Sequence, residues 1–281
     1  MDGGSRPEGR APGASCEAAR TRRAPRASRA RPWLLAGAGT LLAVLLAGCA
    51  SRQMIRQRHR AAVFNTELGI AYMQRDQLAV AKRKLDLALK ENPDNPSVHS
   101  ARALLFVRLG EPRRADREFR EALRLAPHNP NFQNDYAVYL CSSGRTSQGV
   151  KYFLMAARNP LYLTPVAAYT NAGVCLRSAH QYEEAAKMFR AALAVRPNFS
   201  QAAWQLADLD LKRGRLAQAR AVITGYLSSY NETPDLLLLA VKVMRAQHDK
   251  LDAALYARKL QLDFPGSAQA RALARLGNNP G

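Results

Sequence analysis

The side chains in this chain best suited to covalent or metal chemistry are four cysteines and five histidines. Cys16, Cys49, Cys141 and Cys175 contain no CxxC pair, and no histidine stands at ligand spacing from any of them, so no zinc site and no other metal site is expected. His59, His99, His128, His180 and His248 are scattered and are expected to face solvent. No Ser/His/Asp arrangement, GxSxG, Walker-type or HExxH motif occurs. The expectation is a protein without catalytic residues or cofactors, acting by binding.

Cys49 has a role of its own. It ends the run Leu46-Ala47-Gly48-Cys49 behind sixteen uncharged residues, Trp33 to Gly48, rich in Leu, Ala and Gly. That stretch is short for a membrane span, which needs about 20 residues. It follows an Arg-rich segment, as the h-region of a signal peptide follows its basic n-region. Small residues before a cysteine at this place match the bacterial lipobox. Residues 1–48 are therefore expected to be removed, and Cys49 to become an acylated first residue. Each buried methylene of an acyl chain adds about 0.8 kcal/mol of membrane affinity. Ala50-Ser51 follow without an Asp, a pattern that in bacterial lipoproteins favours the outer membrane, with the rest of the chain facing the periplasm.

The elements that would position the remaining residues come from an internal repeat. Low aromatic content with abundant Ala and Leu favours packed helices. Leu68-Gly69-Ile70-Ala71-Tyr72, then Ala81, Leu85, Ala88 and Pro93, fit the tetratricopeptide (TPR) pattern of about 34 residues. Taking Ala62 as position 1 gives units at 62–95, 96–129, 130–165, 166–199, 200–233 and 234–266, with a two-residue insertion in the third. Position 24 then reads Leu85, Phe119, Phe153, Phe189, Ile223, Ala257, and position 20 reads Ala81, Ala115, Gly149, Ala185, Ala219, Ala253. Small residues at positions 8, 20 and 27 let helices A and B of a unit approach, and the large residue at 24 fills the gap. Proline near position 32 ends helix B, having no N–H to donate. Gly110, Gly144 and Gly214 sit in the A–B turn. Asn95-Pro96, Asn129-Pro130 and Thr233-Pro234 read as N-caps before an N1 proline. The predicted fold is all-α, a right-handed superhelical solenoid of six helix-turn-helix repeats. Residues 49–61 are expected as a linker, and 267–281 as a capping helix with a frayed tail.

On such a solenoid the concave groove is expected to be lined by helix-A positions 2, 5, 9 and 12. The partner-binding candidates are Thr66, Ile70 and Met73 in unit one, Ser100, Leu104 and Val107 in unit two, and Asn134 and Val138 in unit three. Their apolar members would form a stripe suited to a partner helix or strand. A clamp for acidic C-termini needs Lys at position 5, where Thr66 and Ser100 stand. Trp204, at position 5 of unit five, reads equally as a groove anchor or as a half-buried structural residue.

Cys141 and Cys175 are the two thiols left after maturation, in an oxidising compartment. They occupy positions 12 and 10 of the A helices of units three and four. Equivalent helices of adjacent units lie about 8–10 Å apart, and a two-residue offset is about 3 Å of helix rise. A disulfide between them is expected, locking the junction where the insertion falls.

The formal net charge is +20, of which residues 1–32 carry eight Arg against Asp2, Glu8 and Glu17. A basic body suits anionic lipid, nucleic acid or an acidic protein face. No nucleic-acid motif accompanies it, so the plain expectation is a solvated basic surface and no nucleic-acid partner.

Units three and four carry more than the general pattern. Asn134-Asp135-Tyr136, Leu140-Cys141, Gly144-Arg145, Tyr152-Phe153, Asn159-Pro160-Leu161-Tyr162, Thr164-Pro165 and Thr170-Asn171-Ala172-Gly173-Val174-Cys175 come in order. This run resembles the type IV pilus biogenesis and stability lipoproteins called PilW or PilF, over about residues 40 to 275. The resemblance implies a six-TPR outer-membrane lipoprotein that assists pilus assembly, as pilotin for the secretin or as a stabiliser of fibres. Thr146-Ser147 stand where that family usually has an acidic residue. The alternative reading is a TPR lipoprotein that scaffolds peptidoglycan or outer-membrane protein machinery.

Overall fold

The computed structural model describes the backbone of residues 33–277 and the side chains of residues 53–276. The leader 1–32, the tail 278–281 and the side chain of Cys49 lie outside the described residues. Every described element is an α-helix. Helices A are α1 (Trp33–Gln74), α3 (Pro96–Arg108), α5 (Pro130–Ser142), α7 (Pro165–Ser178), α9 (Ser200–Lys212) and α11 (Pro234–Ala246). Helices B are α2 (Leu78–Glu91), α4 (Pro112–Leu125), α6 (Thr146–Ala157), α8 (Tyr182–Val195), α10 (Leu216–Leu227) and α12 (Lys250–Asp263). A last helix, α13 (Ala268–Gly277), packs on α11 and α12. The repeats belong to one compact unit that begins at Arg56.

Residues 49–61, expected as a linker, are helical and part of α1. No Gly or Pro interrupts the chain between Cys49 and Gly69. Arg, Gln, Met and Ala in that stretch are good helix formers, so nothing local stops the helix. Among the described residues no helix is long and apolar enough to cross a membrane.

The repeat chemistry explains the packing. At position 24, Leu85, Phe119, Phe153, Phe189 and Ile223 are fully buried. The small residues opposite them are buried too: a β-carbon on Gly69 would come within 2.6 Å of Leu85, and one on Gly173 would overlap the Phe189 ring. Asn95 accepts from Ser97 N, Asn129 from Asn131 N and Phe132 N, and Thr233 from Leu236 N, so these three side chains cap α3, α5 and α11. The A–B turn takes a positive φ at position 15 in every unit: Asp76, Gly110, Gly144, His180, Gly214 and His248. Asp and His are among the side chains enriched in that region. His180 and His248 are therefore turn residues. In α13, Ala270 and Leu273 pack with Leu237, Val241 and Leu260, closing the apolar end of the stack.

A second device ties neighbouring units together. At position 4, His99 donates through Nε2 to the carbonyl of Pro93 at 2.7 Å, and Gln133 Nε2 donates to the carbonyl of Pro127 at 2.8 Å. Both prolines follow the C-cap of the preceding helix B, so each bond ties a helix A to the connection that leads into it. The insertion of unit three lies in the α6–α7 connection, residues 158–164, against 92–95 and 126–129 in the connections before it. Tyr162 turns inward from it and packs with Phe153 and Ala172, while Leu161 and Leu163 stay exposed.

Candidate functional site

Helices A of successive units lie side by side, and the packing sorts the expected groove residues into two groups. Ile70, Leu104, Val107 and Val138 are exposed, as a partner-binding stripe requires. Thr66, Met73 and Ser100 are buried and do not line an open groove. The reason is that position 5 sits in the seam between helices. Thr66 Oγ1 donates back to the carbonyl of Ala62 at 2.7 Å, and Thr170, its counterpart in unit four, does the same to Val166 at 2.8 Å. Met73 packs with Ala81, Leu85, Ala101 and Leu105. Asn134 is half-buried, with Oδ1 buried and without a hydrogen-bond partner among the described residues. Beside it, burial raises the pKa of the Asp135 carboxyl, against hydrogen bonds with Asn134 and Ser100. Beside the exposed apolar positions, Thr66, Ser100, Asn134 and Asp135 thus place polar groups at or within the packed helices.

Cys141 and Cys175 are joined by a disulfide in the structure, with Cα atoms 5.7 Å apart. The bridge links α5 to α7 and borders a recess of about 240 Å³ with Val138, Asn171 and Val174. It also accounts for an exception in the repeat. Position 20 is Ala in every unit except the third, and a β-carbon on Gly149 would run into Cys141 Sγ. The sequence carried that signal as a lone Gly in an Ala column, legible only once the bridge is placed.

Trp204 is half-buried beside a polar recess of about 410 Å³ lined by Ser200, Gln201, Gln205, Thr233 and Asp235. No group of His, Cys, Asp and Glu that would hold a metal occurs among the described residues. His59, His128, His180 and His248 are exposed. His99 is not: it is buried, and its Nδ1 lies 2.7 Å from Glu118 Oε2. Sequence reading missed this because Glu118 belongs to α4, and a pairing between helices A and B has no short-range pattern. Arg102 completes the cluster, donating to Glu118 Oε1 at 3.2 Å and pairing with Asp86 of α2.

Burial opposes the charge on His99, but hydrogen bonds to Glu118 and the Pro93 carbonyl outweigh it, and its pKa is raised above the ordinary 6.5. Burial likewise opposes the Glu118 carboxylate, and bonds from His99 and Arg102 lower its pKa from 4.5. A raised histidine pKa gives stability that is complete below the unfolded value and lost as pH rises through the folded one. A lowered carboxylate pKa gives stability that is lost as pH falls through the folded value. Urea midpoints are therefore expected to fall as pH rises from about 6.5 into the alkaline range. In His99→Gln, which copies Gln133 in the next unit, that fall is expected to be absent. An equal decline in both proteins would remove His99 from the account.

Models of the tetratricopeptide repeat match residues 100–161 and 176–243. With the helix pairs and buried columns described above, they make the chain a tetratricopeptide-repeat protein. It is 28% identical to the type IV pilus assembly protein PilF of Pseudomonas aeruginosa over 235 residues, 82% of this chain and 93% of that one. An uncharacterized Haemophilus influenzae protein is 28% identical over 140 residues, half of this chain and 78% of its own. The solved structure of Pseudomonas aeruginosa PilF superimposes with a TM-score of 0.60 at 26% identity, covering 78% of this chain and 99% of PilF. That of PilW, described as a widely conserved type IV pilus biogenesis factor, gives 0.60 at 29% identity, covering 76% of this chain and 98% of PilW. The chain is a homologue of PilF and is similar in structure to PilF and PilW.

Proposed function

We propose that this protein supports type IV pilus assembly from the periplasmic face of the outer membrane, held there by acylated Cys49, by binding an envelope protein along its A-helix groove. Homology to PilF across most of both chains carries this reading. The exposed stripe of Ile70, Leu104, Val107 and Val138 supplies the binding face. The proposed partner is the pilus secretin, with this protein as its pilotin. An apolar stripe gains on contact from burial, at about 25 cal/mol per Å² of apolar surface. In the periplasm the Cys141–Cys175 bridge holds α5 against α7, so the half of the groove built on Val138 keeps its shape. The lipobox supplies the anchor.

The anchor is tested by intact mass and fractionation. The mature wild-type chain is expected to begin at Cys49, carry acyl chains and fractionate with the outer membrane. Cys49→Ser is expected to lack them and to leave that fraction. An unmodified wild-type N-terminus contradicts the anchor.

A further inference from the structure

Between Cys49 and Glu67 the chain has no acidic residue but carries Arg52, Arg56, Arg58 and Arg60 with His59. From Arg56 onward these side chains belong to the repeat body, and all are exposed. On the helix, Arg56, His59, Arg60 and Val63 stand at i, i+3, i+4 and i+7 and so share one face. Val63 and Phe64 are 47% and 60% exposed, and with His59, Arg60 and Glu67 they line a shallow, open recess of about 280 Å³. Among the described residues Arg56, Arg58 and Arg60 form no ion pair, whereas Arg102, Arg108, Arg114, Arg120, Arg177 and Arg220 each pair with a carboxylate. Arg56, Arg58 and Arg60 fall within five residues of one helix, with no carboxylate among them in sequence and with exposed apolar side chains beside them.

We infer that this face binds the anionic phospholipid surface in which the protein is anchored. The inference rests on the acylation of Cys49 for its geometry. Arg56 lies seven residues beyond Cys49, so even a fully extended chain keeps it within about 25 Å of the anchor. Cations close to an anionic leaflet gain about fivefold in binding each, and the gain dies away beyond a Debye length. Val63 and Phe64 suit the boundary between headgroups and acyl chains, as apolar residues of interfacial helices do. The acyl chains fix the distance to the membrane; the basic face would fix the orientation of the first repeat on it, and so which way the groove is turned.

The test uses the protein purified as the cell matures it, bound to vesicles of phosphatidylethanolamine alone or with about 30% phosphatidylglycerol. Hydrogen exchange is followed in the peptide covering residues 53–67. Flotation with phosphatidylethanolamine vesicles reports the acyl anchor by itself. Slowing of exchange in that peptide only on the phosphatidylglycerol vesicles, reversed by high salt, reports the basic face. Arg56→Glu with Arg60→Glu is expected to float equally well and to lose about tenfold or more of the slowing. If the protein fails to float on either vesicle, the anchor reading fails. If it floats, and exchange in this peptide is the same on both vesicles or the double variant keeps the slowing, the inference is overturned. Free inorganic phosphate giving the same slowing without vesicles would overturn it as well, by making the face a phosphate site.

Discussion

Phe153→Ala is expected to lower the stability of the folded chain by about 3–5 kcal/mol, the cost of removing a fully buried ring and leaving a cavity. The ring is 1% exposed and packs with Ala137 of α5, Ala156 of α6, Ala168, Ala172 and Cys175 of α7, and Tyr162 of the inserted connection. It belongs to two units at once. In a solenoid each unit is stable largely through its neighbour, so weakening this junction is expected to separate the melting of units one to three from that of four to six. Urea unfolding followed by far-UV circular dichroism checks both statements. A loss under about 1 kcal/mol would mean that the ring does not hold the junction.

Reduction of the Cys141–Cys175 bridge is expected to cost about 3–4 kcal/mol on the chain-entropy account, given a sequence separation of 34 residues. The same loss is expected in Cys175→Ser, which then no longer responds to reductant. Comparing urea midpoints of both proteins with and without dithiothreitol separates the bridge from a mere change of side chain. If reductant leaves the wild-type midpoint unmoved and alkylation labels both thiols in freshly isolated protein, the bridge is absent in the cell. The bridge and Phe153 act on one junction, so their effects are not expected to add.

The helical solenoid was legible because its signals are local. Alternating small and large residues at fixed positions, Asn-Pro caps and terminating prolines each state their business within a few residues. The Cys141–Cys175 pairing follows from the same register plus the spacing of neighbouring helices. Burial in the groove was less legible. Position 5 looks concave on a single helix, yet the neighbouring A helix covers Thr66, Ser100 and Thr170. Position 12 is buried as Met73 in unit one but exposed as Val107 in unit two. A hydrophobic pattern on one helix says which face is apolar, not how far the next helix reaches across it. The His99–Glu118–Arg102–Asp86 cluster spans α2, α3 and α4, and nothing in the order of residues announces it. The turn histidines are the opposite case: His180 and His248 stand where glycine stands in three other units, and the repeat register alone marks them as structural.

The central claim is that the exposed A-helix stripe, and not the fold alone, serves pilus assembly. Leu104→Glu with Val138→Glu places two carboxylates on that stripe at positions exposed enough to be solvated, 37% and 47%. Complementing a deletion strain with this variant, and counting surface pili alongside capture of the secretin on the purified protein, tests the claim directly. The account predicts a chain with wild-type helicity and amount that neither restores pili nor captures the secretin. Pili and secretin capture at wild-type levels with both carboxylates in place would contradict it.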